Sequence, residues 1–392
     1  MTAERLPYLC ERLQPFGGAS VFAEMSALAV RTGAINLGQG FPDTDGPAAV
    51  AEAAIEAIGG TFNQYPPGIG YPVLRQAVAE HQKRFWGLEF DPDTEVLVTA
   101  GATEAITSSI LALTGPGDEV VTFEPYFDIY PADVSMAGAT YRLVQLRPPA
   151  YTFDPDELAA AFGPHTRLLL LNSPHNPTGK VFSPDELDII ARLCVEHDVI
   201  AVTDEVYEHL VFDDNAHVPL ATRPGMADRT VTISSGGKTL SFTGWKIGWV
   251  CARPELVRAV QAAKQLLTYV SGGPFQPAVA VGLRLGDEFF NGLAADLQAR
   301  RDLLCDGLSA AGFAPVVPQG TYYITADIRP LGASDGLEFC RSLPERCGVV
   351  AVPVQVLCDD KAMGAPFVRF AACKRPEVLT EAVERLAVLA SR

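Results

Sequence analysis

The chain has 392 residues, a length that allows two or three domains, or one large domain with an appendage, with core enough to stand without disulfides or metals. Apolar residues make up 48% and charged residues 20%, which excludes a disordered or fibrous chain. With 47 acidic and 30 basic residues the net charge is −17. That argues against nucleic acid or an anionic membrane as partner, although a local cluster of cations can still receive a small anion.

In chain order, Met1–Gln14 carries charges throughout and lacks an apolar h-region, so no signal peptide is expected. Residues 1–45 are too few for a domain and are expected to form an arm packed on a smaller C-terminal domain. From 46 to 284 the pattern alternates between two periods. Short β-branched and aliphatic runs stand at Val96–Thr99, Glu119–Phe123, Arg167–Leu171, Val199–Thr203, Thr230–Ser234 and Trp249–Ala252. Helical spacing marks Thr103–Leu113 and Pro184–Glu196, the latter opened by Ser183 and Pro184. This alternation predicts an α/β fold with a mostly parallel central sheet flanked by helices. Residues 285–392 read as a smaller α+β domain: a helix over Asp287–Ala311, strands near Tyr322–Ile328, Val349–Val352 and Phe367–Cys373, and a helix over Leu379–Ala390. No apolar run reaches the roughly 18 residues of a membrane span. None of the eight cysteines form a CxxC pair, which fits reduced thiols in a cytoplasmic protein. The six histidines are scattered, and no metal site is expected.

Polar clusters stand at the strand ends, where open parallel sheets bind ligands. Gly101-Ala102-Thr103 follows the first strand; its N–H groups and the Thr103 hydroxyl would cradle an anion, or form a plain tight turn. Asn172-Ser173-Pro174-His175-Asn176-Pro177-Thr178-Gly179 follows four leucines, with a cis bond plausible before Pro177 and Asn176 able to donate to a ligand oxygen; His175 reads as a loop residue. Asp204 would accept from a cationic ring nitrogen, with Tyr207 one helical turn along, or else simply cap a helix. Lys238, in a Ser/Gly loop after Ser234 and Ser235, and Lys246, eight residues on, are poor core material. They suit an amine nucleophile beside a phosphate-binding cation, with burial and the second charge lowering the lysine pKa.

The sequence resembles the fold-type I, pyridoxal-phosphate-dependent aminotransferases of class I/II from Phe22 to the end. The resemblance rests on Asn36-Leu37-Gly38-Gln39-Gly40-Phe41-Pro42-Asp43, Asn63-Gln64-Tyr65, Gly101-Ala102-Thr103, Glu124-Pro125-Tyr126-Phe127-Asp128, Asn176-Pro177-Thr178-Gly179, Asp204-Glu205-Val206-Tyr207, Lys238, Lys246 and Arg369, in the family's order. It implies pyridoxal 5′-phosphate as cofactor, an L-amino acid and a 2-oxo acid as substrates, and a homodimer with active sites at the interface. It also implies roles. Lys238 would hold the cofactor as a Schiff base and move the proton. Asp204 would pair with the ring nitrogen, Tyr207 and Asn176 would bond the ring hydroxyl, and Phe127 would stack on the ring. Ala102, Thr103, Ser235, Lys246 and Tyr65 (from the second subunit) would hold the phosphate. Arg369 would clamp the substrate carboxylate, with Asn176, Gly40 and Phe22 beside it.

Within the family the details are similar to the group of kynurenine aminotransferase and glutamine transaminase K, and closer to actinobacterial N-succinyldiaminopimelate aminotransferase. Two departures stand out. The segment Cys358–Pro366 is short, and Ser271-Gly272-Gly273 replaces a bulky aromatic and a histidine, which counts against kynurenine-type specificity. Arg75, Arg142 and Arg341 stay open as partners for a distal carboxylate. The same scaffold also serves β-elimination, γ-replacement and oxidation. A catalytically dead binding protein would have lost Lys238 or Asp204, and both are present.

Overall fold

The computed structural model describes residues 6–18 and 20–390, so the first five residues of the Met1–Gln14 stretch lie outside it. Thirteen strands occur among the described residues. They are β1 Ile35–Asn36, β2 Val96–Thr99, β3 Glu119–Glu124, β4 Thr140–Gln145, β5 Thr166–Asn172, β6 Ile200–Asp204, β7 Thr230–Ser235, β8 Gly248–Cys251, β9 Ala314–Val316, β10 Tyr323–Asp327, β11 Val349–Val350, β12 Val352–Pro353 and β13 Phe367–Ala371.

Strands β2 to β8 form one sheet in the order β2-β8-β7-β6-β5-β3-β4. All neighbours pair in parallel except β8, which runs antiparallel to both β2 and β7. The four leucines of β5 show why the centre is a strand. Leu168 and Leu170 enter one core with Val120, Val202 and Val231, while Leu169 and Leu171 enter another with Phe182 and Leu187. A period of two with both faces apolar needs cover on both sides. The helix Pro184–Glu196 starts with a capping box, Ser183 Oγ accepting from Glu186 N (3.2 Å) and Glu186 Oε2 from Ser183 N (2.9 Å). Edge strand β4 was not expected; its sequence, Thr-Tyr-Arg-Leu-Val-Gln, is half exposed and so carries no aliphatic run.

Strands β9, β10, β12 and β13 form an antiparallel sheet in the order β12-β13-β10-β9. Val349–Val352, expected as one strand, is two: β11 pairs in parallel with β1, and β12 joins β13. The expected final helix is Pro376–Leu386 followed by a short 3-10 turn, Ala387–Leu389. Helices Asp287–Ala310, Gly336–Cys347 and Pro376–Leu386 close one core with this sheet. Met25, Leu28 and Ala29 of the helix Val21–Thr32 are part of that core, as is Leu37. All eight cysteines are free. Among the described residues no helix is long and apolar enough to cross a membrane.

Candidate active site

The carboxyl ends of β2, β5, β6 and β7 meet at one cavity of about 220 Å³. Its lining includes Ala102, Thr103, Phe127, Asn176, Asp204, Tyr207, Ser235, Lys238 and Lys246. The helix Gly101–Leu113 starts at the end of β2 with no side chain capping its first N–H groups. Lys246 Nζ reaches Thr103 Oγ1 at 3.3 Å. Two backbone features make room for this. Gly101 has φ +75°, and a Cβ on Gly248 would lie 2.5 Å from the Gly101 carbonyl carbon, so neither position tolerates a side chain. Uncapped amides, a hydroxyl and an ammonium form an anion receptor.

Asp204 ends β6, three strands away from β2 in the sheet. No helix follows it: residues 205–209 form hydrogen-bonded turns, with Glu208 N donating to Glu205 O (2.9 Å) and Leu210 N to Tyr207 O (2.7 Å). Asp204 is therefore not a helix cap. Burial pushes its carboxyl up to about 6, against hydrogen bonds from Tyr130 and Val206 N and the charge of Lys238. Lys238 sits not in a loop but in the four-residue helix Gly236–Thr239 after β7. Its Nζ donates to Tyr322 Oη (3.1 Å), and that hydroxyl donates to Gly40 O (2.7 Å). Lys246 has its pKa lowered by burial and, second, by Lys238.

Arg369, on β13, is 3% exposed. It donates to Asn176 Oδ1 (2.9 Å) and Gly38 O (3.2 Å), and its guanidinium lies 4.1 Å from the Tyr323 ring centroid and 5.2 Å from that of Phe22. Its Nε has no hydrogen-bond partner among the described residues. Fixing Asn176 Oδ1 on the arginine leaves the amide NH₂ free to donate into the cavity. A Cβ on Gly40 would fall 1.8 Å from Tyr323 Oη, so only glycine brings this segment so close. The segment is pinned by Lys374 Nζ to Phe41 O (2.7 Å) and Arg375 N to Asp43 Oδ1 (2.7 Å). Phe22 lines a groove of about 880 Å³ that shares Thr103 with the cavity and runs past Tyr126 and Asp128.

Tyr65 does not line this cavity; it is 82% exposed, beside Tyr269. The peptide bond before Pro177 is cis. His175 is buried outside the cavity on Thr178 Oγ1 (2.8 Å), its pKa lowered to about 3 by burial. Arg75 pairs with Asp93, Arg142 with Glu119 and Arg341 with Glu24, and none lines the cavity or the groove. Tyr130, Tyr322 and Tyr323 were missed, because a tyrosine in an apolar run reads as core until its hydroxyl partner is seen.

Two of the scattered histidines converge outside the cavity lining. His81 and His209 place their Nε2 atoms 2.7 Å apart, which suits a shared proton; two nitrogens on one tetrahedral zinc would stand about 3.4 Å apart. Glu208 beside them accepts from Ser234 Oγ (2.5 Å) and Trp86 Nε1 (2.5 Å), and Glu205 pairs with His217 (2.9 Å). Burial pushes the Glu208 carboxyl up to about 7. A raised carboxyl keeps its proton in the fold while the unfolded chain has lost it, so this group's contribution to stability falls as pH rises from about 4.5 to about 7. Thermal melts of the apoprotein across that range should show a smaller loss in Glu208→Gln than in the natural protein.

The family model for aminotransferase class I and II matches residues 32–386. The chain belongs to this family. Its curated relatives include the probable N-succinyldiaminopimelate aminotransferase of Mycobacterium tuberculosis, 52% identical over 97% of this chain and 98% of that protein. Another is mouse kynurenine–oxoglutarate transaminase 3, 38% identical over 93% and 87%. The solved structure of the M. tuberculosis N-succinyldiaminopimelate aminotransferase superposes with a TM-score of 0.95, covering 97% of this chain and 100% of that one. This aminotransferase therefore transfers amino groups between amino acids and oxo acids, with pyridoxal phosphate as cofactor. The residues present fit that group: an anion receptor for its phosphate, a lysine, a flanking aromatic and a buried carboxylate share one cavity.

Proposed function

We propose that the cavity carries out both halves of amino transfer, with residue roles as follows. Thr103, Ser235, Lys246 and the Ala102 and Thr103 amides hold the phosphate. Asp204 holds the ring nitrogen, Asn176 and Tyr207 the ring hydroxyl, and Phe127 the ring face. When bound, the cofactor supplies the electron sink for breaking the α-carbon–hydrogen bond. Lys238 carries the cofactor and moves the α-proton; Tyr322 keeps its Nζ pointed. Arg369 clamps the α-carboxylate beside Gly40 and Phe22. The observation that carries this reading is Arg369 itself: a buried guanidinium that no carboxylate hydrogen-bonds among the described residues, with Asp128 acting on it through charge alone, is a receptor for one.

We read residues 46–284 as one domain and 285–392 as a smaller one, with 1–45 as an arm; the seven-stranded and four-stranded sheets support the division, and Met25, Leu28 and the β1–β11 pair support the arm. A homodimer would give Tyr65 a phosphate to bind. It is supported by exposed Ile55, Ile58, Tyr65, Leu266, Leu267 and Tyr269, an apolar set that water does not favour. Eight unpaired cysteines support a cytoplasmic setting.

For the donor we propose N-succinyldiaminopimelate, on the similarity to the M. tuberculosis protein and a groove roomy enough for a long side chain. Initial rates with 2-oxoglutarate should show kcat/KM for this donor at least tenfold above glutamine, methionine or kynurenine. A higher kcat/KM for any of those three overturns the assignment.

A further inference from the structure

Asp204 is 5% exposed, and among the described residues its carboxylate has two hydrogen-bond donors: Val206 N to Oδ1 at 3.4 Å and Tyr130 Oη to Oδ2 at 2.8 Å. The first is long, so the phenol supplies the stronger bond. Tyr130 lies in the helix Ile129–Ala137 at 2% exposure, its ring among apolar neighbours and edge-on to Phe127 at 5.7 Å. Nothing in the packing needs the hydroxyl; Asp204 is its one hydrogen-bond partner among the described residues.

We infer that Tyr130 is a positioning residue for the ring-nitrogen end of the cofactor site, its hydroxyl holding Asp204 in the ionised state and in the orientation that a protonated ring nitrogen requires. This rests on the reading of Asp204 given above. The chemistry is direct. A buried carboxylate prefers to take a proton, and a protonated acid cannot pair with a cationic nitrogen. A donor fixed on one oxygen stabilises the charged form and fixes the plane of the group. Burial and Asp204 together raise the phenol far above its ordinary value, so it stays a donor throughout the working range. The other charged and titratable groups that act on this pair are Lys238, which favours ionised Asp204, and Glu205, which opposes it; Tyr207 and Asp133 act on Tyr130.

The test is Tyr130→Phe, which deletes one hydroxyl and keeps the ring. The readout is pyridoxal phosphate binding to the apoprotein, followed by absorbance between pH 5 and 8.5. Binding should weaken roughly tenfold at pH 7.5, and the pH below which it fails should move upward from the natural protein's. In an Asp204→Asn background the same substitution should have no further effect, because the group it acts on is gone. Unchanged affinity and midpoint in Tyr130→Phe overturn the inference, as does equal weakening in both backgrounds, the mark of a packing role alone. A failure of the Asp204 reading looks different: Asp204→Asn by itself would then bind the cofactor as the natural protein does. Apoprotein melting temperatures for each variant identify any that has failed to fold.

Discussion

Lys238→Ala should abolish amino transfer, with kcat falling by roughly 10⁴-fold or more, since one residue is asked both to carry the cofactor and to move a proton. The geometry supports both tasks. Nζ enters the shared cavity from the helix Gly236–Thr239, and its one hydrogen bond among the described residues is to Tyr322 Oη at 3.1 Å. The chain Lys238–Tyr322–Gly40 O ties the amine to the segment that flanks Arg369, so the proton-moving group and the substrate-holding group share one scaffold. Removing the lysine leaves Lys246, Thr103, Ser235 and Asp204 in place. The variant should therefore still bind pyridoxal phosphate, but release it on gel filtration, where the natural protein retains it. Single-turnover absorbance with L-glutamate measures the loss. Retention of more than a few per cent of the rate would mean that another base moves the proton.

Arg369→Ala should lower kcat/KM for every amino-acid donor by roughly 10²–10³-fold, the cost of removing one partner from a buried, hydrogen-bonded charge pair. The effect should fall mainly on KM, because the clamp holds substrate and transition state alike. Arg369→Lys should recover little: an ammonium cannot present the paired N–H fork, nor lie flat on the Tyr323 ring, 4.1 Å away. Cofactor affinity should fall far less than kcat/KM, since Arg369 acts on the cavity only through two lining residues, by orienting the Asn176 amide and by stacking on Tyr323. Esters and amides of the donor should lose the difference between natural protein and variant, because they offer no carboxylate.

Much of this site was legible in the chain because its parts are local. Thr103, Asn176, Asp204 and Lys238 each stand within a few residues of a strand end, and strand ends follow from hydrophobic period alone. Local conformation was less legible. Lys238 was placed in a loop and Tyr207 on a helix, whereas the first lies in a short helix and the second in a turn, because four-residue elements carry no period. The reversal of β8 was hidden for a related reason: Gly-Trp-Val-Cys reads the same for either direction of pairing. The tyrosines were hidden because their meaning is long-range. Tyr322 reaches a lysine 84 positions away and Tyr130 an aspartate 74 away. The convergence of His81 on His209, 128 positions apart, could not be read from spacing either.

The most direct test of amino transfer at this site is a pair of half-reactions followed by absorbance on the protein loaded with pyridoxal phosphate. L-glutamate alone should bleach the long-wavelength band and release one equivalent of 2-oxoglutarate per site. A 2-oxo acid added after removal of the glutamate should restore the band and yield the matching amino acid. Ammonia released in the first step, with a band that the 2-oxo acid does not restore, would contradict the account.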